Sequence, residues 1–377
     1  MWWSANDRPA PKKIVVVGDE LTAVAAVKHA SHGQAMLWLG DFHNARQILA
    51  AIDRRLTKTA NAKTKPSRPS GTQPSDADEF YKIRQARAQR SRAMSLILVP
   101  LSVDVDNQML VPLPRAPKLG SALAFGYGDQ PGLGQGDAVI SLQELIGIQS
   151  AYQWYLNGVD VPSLGAKIYP HYGTFLPTRH EYVDLVAAAP LPSKDLAFDI
   201  GTGTGVLAAV LADRGVKQVI GTDIHQRAVD CATDNFTRLG IEARASAQVT
   251  NMFPAGKAPL IVCNPPWLPG SANSTLDAAI YDPASQMLLQ FLRGLPKHLT
   301  EGGEGWLVLS DLAELLGLRS RQMLLDAIDQ AGLEIIDRLD TVPTHGRARD
   351  TTDLLYVARS RETTSLWRLR VSPTVTG

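Results

Sequence analysis

Leu196-Ala-Phe-Asp-Ile-Gly-Thr-Gly-Thr-Gly205, followed by the apolar run Val206-Leu-Ala-Ala-Val-Leu-Ala212, decides how the rest of the chain is read. The first residues predict a strand that ends on Asp199. The last predict a helix, and Thr202 lies in the turn between them. A strand, a Gly-x-Gly-x-Gly turn and a helix in succession make a nucleotide-binding arrangement. Gly201, Gly203 and Gly205 admit backbone angles closed to other residues and let a ligand approach the main chain.

The segments that follow keep the same alternation. Gln218-Val-Ile-Gly-Thr-Asp223 reads as a second strand, and its terminal acid lies 24 residues after Asp199. An acid at that place offers a ribose diol its two acceptors, or else caps the next helix. Residues 226–239 have helical spacing and end at Gly240, a C-cap signal. Residues 243–249 form a weakly apolar third strand leading into Thr250-Asn251-Met252-Phe253. Pro259-Leu-Ile-Val-Cys263 is a fourth strand, and it delivers Asn264-Pro265-Pro266-Trp267.

Asp-x-Gly-x-Gly-x-Gly, an acid ending the second strand, Asn-Met-Phe and Asn-Pro-Pro-Trp, in that order, resemble a class I S-adenosylmethionine-dependent methyltransferase. The Asn-Pro-Pro-aromatic form is similar to the amino- and amide-N-methyltransferases. These include release-factor glutamine, ribosomal RNA guanine-N2 and adenine-N6 methyltransferases, the methyltransferase small domain type. The resemblance covers about residues 170–360. A nicotinamide-binding Rossmann domain would show Gly-x-Gly-x-x-Gly and leaves Asn-Pro-Pro-Trp unexplained.

The resemblance implies S-adenosyl-L-methionine as cofactor, with Asp199, Gly201, Thr202, Gly203, Gly205, Asp223, Asn251 and Asn264 around it. Asn251 is otherwise a turn cap. It also implies the catalytic set Asn264, Pro265, Pro266 and Trp267. An amide or aromatic amine is a poor nucleophile because its lone pair is delocalised. The Asn264 side-chain oxygen and the Pro265 carbonyl would each accept one N–H and aim the nitrogen at the sulfonium methyl. Paired prolines stiffen that backbone. Trp267 would stack on a flat acceptor, worth ~1–3 kcal/mol for a base; as a core aromatic it would do neither. Neither a metal nor a covalent nucleophile is needed, because positioning supplies much of the rate.

Composition sets outer limits. The chain has 377 residues, 45% hydrophobic and 20% charged, with a net charge of +1. Two cysteines give no disulfide framework, and the eight histidines show no ligand spacing. No apolar run approaches twenty residues, and the N-terminus lacks the apolar core of a signal peptide. The expectation is a cytoplasmic enzyme without membrane or metal.

Upstream, residues 1–137 read as an N-terminal α/β domain. Strands are expected at 14–17 (buried), 35–39 and 95–101, and helices through Ala30, at 45–56 and at 79–92. The pattern fits a degenerate methyltransferase-like copy, or an independent small domain. Residues 57–78 read as a disordered insertion. From Asn44 to Arg92 there are twelve Lys and Arg against four Asp and Glu, the one strongly basic region. It is either a phosphate-contacting surface or a solvated helix.

Residues 138–180 read as a helical connector and approach segment, with a capping box at Ser141 and Glu144. Residues 181–377 read as the catalytic domain. Pro177, Arg179 and Glu181 partly resemble the segment that precedes the glycine turn in release-factor glutamine methyltransferases, although Thr178 interrupts it. By that resemblance Arg179, Tyr172 and His171, with Trp267, are candidates for the substrate mouth; the alternative is a packed loop that holds the first helix. Further strands are expected at 305–310, 334–341 and 354–358, with 365–371 extending the edge. The fold class is α/β: a Rossmann-like seven-stranded sheet, mostly parallel, with helices on both faces and its final strand pair antiparallel by resemblance.

The function expected is N-methyl transfer to a planar amino or amide nitrogen, first of all a base in ribosomal RNA. The alternatives are a glutamine side chain in a release factor or ribosomal protein, a small molecule, and a cofactor-binding module without catalysis.

Overall fold

Where an apolar run is bounded by turn residues, the chain can bury a strand only by pairing it. In the computed structural model, which describes residues 1–63, 75–104, 106, 108–128, 138–272, 275–344, 349–351 and 353–373, those runs become two main sheets. Two units partition the chain: Met1–Pro74 with Tyr81–Gln153, and Ser75–Phe80 with Trp154–Gly377.

The N-terminal half contains β1 (Ile14–Val17), α1 (Ala23–Ser31), β2 (Ala35–Trp38), α2 (Phe42–Lys63), α3 (Asp76–Met94), β3 (Ile97–Val103), β4 (Met109–Leu110), α4 (Gly120–Tyr127), β5 (Ala138–Ser141) and α5 (Leu142–Asn157). The first sheet runs β1-β2-β3-β4, with β5 also on β3. β1, β2 and β3 are parallel, and β4 and β5 are antiparallel to β3. The expectation of a buried first strand fails: β1 is an edge, and Ile14 and Val16 stand 48% and 60% exposed.

α2 starts earlier than the periodicity predicts because the Asp41 carboxylate accepts the His43 N–H at 2.8 Å and the Asn44 N–H at 3.3 Å, an N-cap. It continues to Lys63, and α3 begins at Asp76, so both ends of the expected insertion 57–78 are helical. Residues 64–74 lie outside the described residues. α4 lies in the Pro- and Gly-rich stretch 102–137, which offers no clear period, and β5 occupies the start of the segment 138–180 expected as a helical connector. The capping box forms only in part. Ser141 Oγ meets the Glu144 N–H at 3.5 Å, while the Glu144 carboxylate turns to Ser4, Asn6 and Tyr127.

The C-terminal half contains β6 (Val159–Val161), β7 (Ala166–Ile168), α6 (Glu181–Ala188), β8 (Leu196–Ile200), α7 (Val206–Asp213), β9 (Gln218–Asp223), α8 (Gln226–Leu239), β10 (Ala245–Val249), β11 (Ala258–Cys263), α9 (Thr275–Ala278), α10 (Gln286–His298), β12 (Leu299–Ser310), α11 (Leu312–Leu315), α12 (Arg321–Gln330), β13 (Leu333–Thr341), α13 (Tyr356–Arg359) and β14 (Thr364–Val371). The large sheet is ordered β10-β9-β8-β11-β12-β14-β13. β10, β9, β8, β11 and β12 are parallel, and β14 is antiparallel to both neighbours.

Two expectations about its far edge are corrected. Residues 354–358 are not a strand. Tyr356–Arg359 is a helical turn, beside which Asp353 accepts the Leu355 N–H at 2.9 Å and pairs with Arg359 at 3.3 Å. Residues 365–371 do not extend the edge. They belong to β14, inside the sheet between β12 and β13.

Side chains alternate across the large sheet, and both faces are covered. On β11, Leu260 and Val262 join the core that includes α7, while Ile261 and Cys263 join the core that includes α10. That explains continuous apolar runs instead of apolar–polar alternation. Truncating Phe198 or Phe291 to alanine in such a core would cost about 3–5 kcal/mol. Strand order reverses at β8, between β9 and β11. The crevice beyond the carboxyl ends of β8 and β11 is where such sheets bind ligands.

Candidate functional site

The glycine turn closes over the end of β8. Gly201, Gly203 and Gly205 all take positive φ, at 72°, 56° and 79°. The Gly201 and Thr202 N–H groups donate to the Thr222 carbonyl of β9 at 2.9 and 2.8 Å. Gly205 is also a close-packing position: a Cβ there would lie 2.6 Å from the Phe236 ring.

Asp199 is 1% exposed. Its carboxylate accepts the Thr202 hydroxyl at 2.7 Å and the Ala208 N–H at 3.1 Å. It therefore fastens the turn to the first turn of α7. Burial pushes its carboxyl up to about 6, against the pull of those two hydrogen bonds, and the Asp223 charge adds to the rise.

Asp223 ends β9 half-exposed, accepting the Gly203 N–H at 3.3 Å and the His225 N–H at 3.0 Å. Beyond β10, Asn251 is exposed and Met252 takes a positive φ of 68°, which aims its carbonyl at the Thr222 hydroxyl, 2.5 Å away. Phe253 then stacks on His298, with ring centroids 4.4 Å apart.

β11 ends at Asn264-Pro265-Pro266-Trp267. Pro265 is buried and the other three are half-buried. The Trp267 indole N–H donates to Asn264 Oδ1 at 2.7 Å. Tyr182 meets the Trp267 ring edge-on at 6.5 Å, and Arg179 lies over it with Cζ 4.4 Å from the centroid.

One cavity of about 390 Å³ joins these parts. Asp199, Gly201, Thr202, Gly203 and Asp223 line one side. Asn251, Asn264, Pro265, Pro266 and Trp267 line it further round, and Arg179 also borders it. Gly205 and Tyr172 are not among its lining residues: Gly205 packs behind the turn, and Tyr172 lies against Arg227, whose Cζ is 5.6 Å from its ring. His171 is turned toward α8, its ring Nε2 3.1 Å from Asp234 Oδ2 and its backbone N–H donating to Cys231 Sγ at 3.2 Å.

Arg179 is less available than its place suggests. Its Nε donates to Glu181 at 2.6 Å, its Nη1 to Glu362 at 3.0 Å and its Nη2 to Thr364 at 3.3 Å.

Sequence reading missed Tyr182 and Asp282, which both line the cavity. Asp282 is 5% exposed and accepts the Met287 and Leu288 N–H groups at 3.0 and 3.2 Å, capping α10. Burial raises its carboxyl above the usual range. The signal was present as Asp-Pro just before an apolar helix. Cys231 and Cys263 are buried, and desolvation raises both thiols, Cys231 to about 11. They are inert packing groups. Among the described residues no cluster of His, Cys, Asp and Glu could hold a metal ion, and no helix is long and apolar enough to cross a membrane.

The family model described as Methyltransferase small domain matches residues 185–317. A Methanocaldococcus jannaschii protein provisionally named protein N5-glutamine methyltransferase is 29% identical over 162 residues, covering 41% of this chain and 80% of that protein. The release factor glutamine methyltransferase of Cereibacter sphaeroides is 27% identical over 179 residues, covering 44% and 63%. The tRNA1(Val) (adenine(37)-N6)-methyltransferase of Cytophaga hutchinsonii is 32% identical over 127 residues, covering 31% and 52%. The chain thus matches about half to four-fifths of the length of these relatives.

Proposed function

We propose that this chain, which belongs to the class I S-adenosylmethionine-dependent methyltransferases through the domain at residues 185–317, methylates a planar –NH2 nitrogen held at Asn264 and Pro265. The observation that carries this reading is that Asn264-Pro265-Pro266-Trp267 and the Asp199–Gly203 turn border one cavity.

The residues suit the cofactor. Gly201 and Gly203, both left-handed, let the main chain of the turn border the cavity, Gly205 packs behind it, and the half-exposed Asp223 carboxylate stands where a ribose diol needs acceptors. Asn251 flanks the adenine position. When bound, S-adenosylmethionine supplies a methyl group already activated by its sulfonium. The protein then has to orient the acceptor. Asn264 Oδ1 and the Pro265 carbonyl accept the two N–H bonds of the target nitrogen, and the paired prolines hold those acceptors rigid. Trp267 supplies a flat apolar face for the planar group.

Two acceptor classes have a specific support. A base in RNA is favoured by the twelve Lys and Arg between Asn44 and Arg92. One of these, Arg90, is ion-paired with Asp53. A protein glutamine is favoured by the names of the Methanocaldococcus and Cereibacter relatives. In either class the partner is a macromolecule and the site chemistry is the same.

The test is methyl transfer from radiolabelled S-adenosylmethionine into a lysate of cells lacking this protein, followed by RNase or protease. RNase-sensitive label supports the RNA acceptor, and protease-sensitive label the glutamine. Asn264→Ala should retain cofactor binding and lose transfer. Full transfer by that variant removes Asn264 from the reaction.

A further inference from the structure

We propose that the indole of Trp267 sets which way the Asn264 amide faces, and that Arg179, braced by Glu362 and Glu181, holds the indole for that purpose. This deepens the proposed reaction and rests on Asn264 accepting the target N–H.

An asparagine amide has two nearly isosteric ends. With oxygen toward the acceptor it receives an N–H. Turned over, it presents its own N–H groups and repels the –NH2 it should hold. An indole nitrogen donates and never accepts, so the amide atom 2.7 Å from Trp267 Nε1 has to be oxygen. The contact removes the turned-over state before any substrate arrives. A carbonyl oxygen has two lone pairs, so one remains for the target nitrogen. Tyrosine or phenylalanine at position 267 would still stack but would place no N–H against Asn264.

The indole itself is fixed. Arg179 Cζ lies 4.4 Å from its centroid, a cation–π contact, and Tyr182 abuts it at an interplanar angle of 88°. Arg179 cannot drift, because Glu181, Glu362 and Thr364 each accept from a different nitrogen. Glu362, 1% exposed, also accepts the Ser310 hydroxyl at 2.5 Å. The brace therefore runs from the end of β12 and the start of β14 to the loop after β11.

This arrangement is a poor device for stability alone. Two buried carboxylates share one guanidinium, and among the described residues Glu181 Oε2 and Glu362 Oε2 are buried without a hydrogen-bond partner. A partly satisfied buried network is expensive. Its geometric product is an aromatic ring held in one place beside Asn264.

The experiment uses the full chain labelled with 15N-tryptophan, the Trp267 indole signal being identified by its loss in Trp267→Phe. In the wild type that N–H should exchange slowly with solvent. In Arg179→Lys and in the isosteric Glu362→Gln it should exchange at least about tenfold faster, with S-adenosylmethionine affinity unchanged. With the acceptor class found above, Trp267→Phe, Arg179→Lys and Glu362→Gln should lower kcat about 10- to 100-fold and leave the acceptor KM nearly unchanged, as expected for misplacement at the reacting centre. Unchanged indole exchange in both brace variants would overturn the proposal. So would a loss confined to KM, or a kcat that falls only in proportion to a lowered melting temperature. The exchange measurement needs no acceptor. If Asn264→Ala keeps full activity while indole exchange responds as expected, the reaction assignment is what fails, not the brace.

Discussion

Asp199 and Asp223 stand at the carboxyl ends of neighbouring parallel strands, and both grip the same glycine turn: Asp199 through the Thr202 hydroxyl, Asp223 through the Gly203 N–H. Their burial divides the work. Asp199 is enclosed, so it is a fastener, and half-exposed Asp223 can still meet a ligand. Asp223→Ala should therefore weaken S-adenosylmethionine binding by about 10- to 100-fold, the worth of hydrogen bonds to a charged group, with little change in melting temperature. Asp199→Ala should lower both. Calorimetric titration and thermal unfolding check this, and undiminished affinity in Asp223→Ala rejects the ribose assignment.

The raised Asp199 carboxyl gives a pH dependence with a definite sign. Its folded value, about 6, lies above its ordinary 3.8. The group's contribution to stability is therefore fully present below about pH 4 and is lost as pH rises through about 6. Cofactor binding has the opposite slope. A ligand carrying sulfonium and ammonium charges favours the ionised carboxylate, so affinity should fall below about pH 6, by up to tenfold per pH unit. Asp199→Asn should flatten that profile. Affinity that stays level or tightens from about pH 8 to about pH 5 contradicts the assignment.

Within the turn, two glycines should differ. Gly205→Ala combines a φ of 79° with a Cβ 2.6 Å from the Phe236 ring and 3.1 Å from Ala232. It should cost about 2–3 kcal/mol and impair cofactor binding. Gly203→Ala has a φ of 56° but meets nothing nearer than the Gly201 carbonyl oxygen at 4.0 Å, so strain alone should cost about 1–2 kcal/mol. Chemical denaturation of both measures the difference, and the reverse order would mean that packing against α8 is not what Gly205 supplies.

Much of this architecture was legible because its signals are local. Strands buried on both faces are continuous apolar runs, so β8, β9 and β11 lie within a residue of their expected limits. The glycines mark the turn by conformation alone. What failed depends on partners far away in sequence. Leu354-Leu-Tyr-Val-Ala358 has the composition of a strand, yet among the described residues no strand pairs with it, and Asp353 and Arg359 close it into a helical turn. Residues 365–371 looked like an edge, but they belong to β14, which inserts between β12 and β13. Arg179 was read as a mouth residue because Pro177, Arg179 and Glu181 partly resemble the segment that borders the substrate in release-factor glutamine methyltransferases. Glu362, its partner, lies 183 residues on and carries no mark of that role.

The basic region gives the last prediction, because its charges are not equivalent. Arg90 faces Asp53 across α2 and α3, with Nη2 2.6 Å from Oδ2, so it is already neutralised. Arg90→Glu should mainly destabilise, by repulsion between the two acids. Lys82 and Arg87 are exposed on α3. If this region binds RNA, Lys82→Glu with Arg87→Glu should weaken binding across sequences. It should also reduce the slope of log affinity against log salt by about 0.7–0.9 for each phosphate that the variant no longer neutralises. A gel-shift titration at several salt concentrations reads that slope. A slope equal to wild type would make α3 a solvated helix. It would also move the acceptor assignment toward the glutamine side chain, for which no polyanion site is needed.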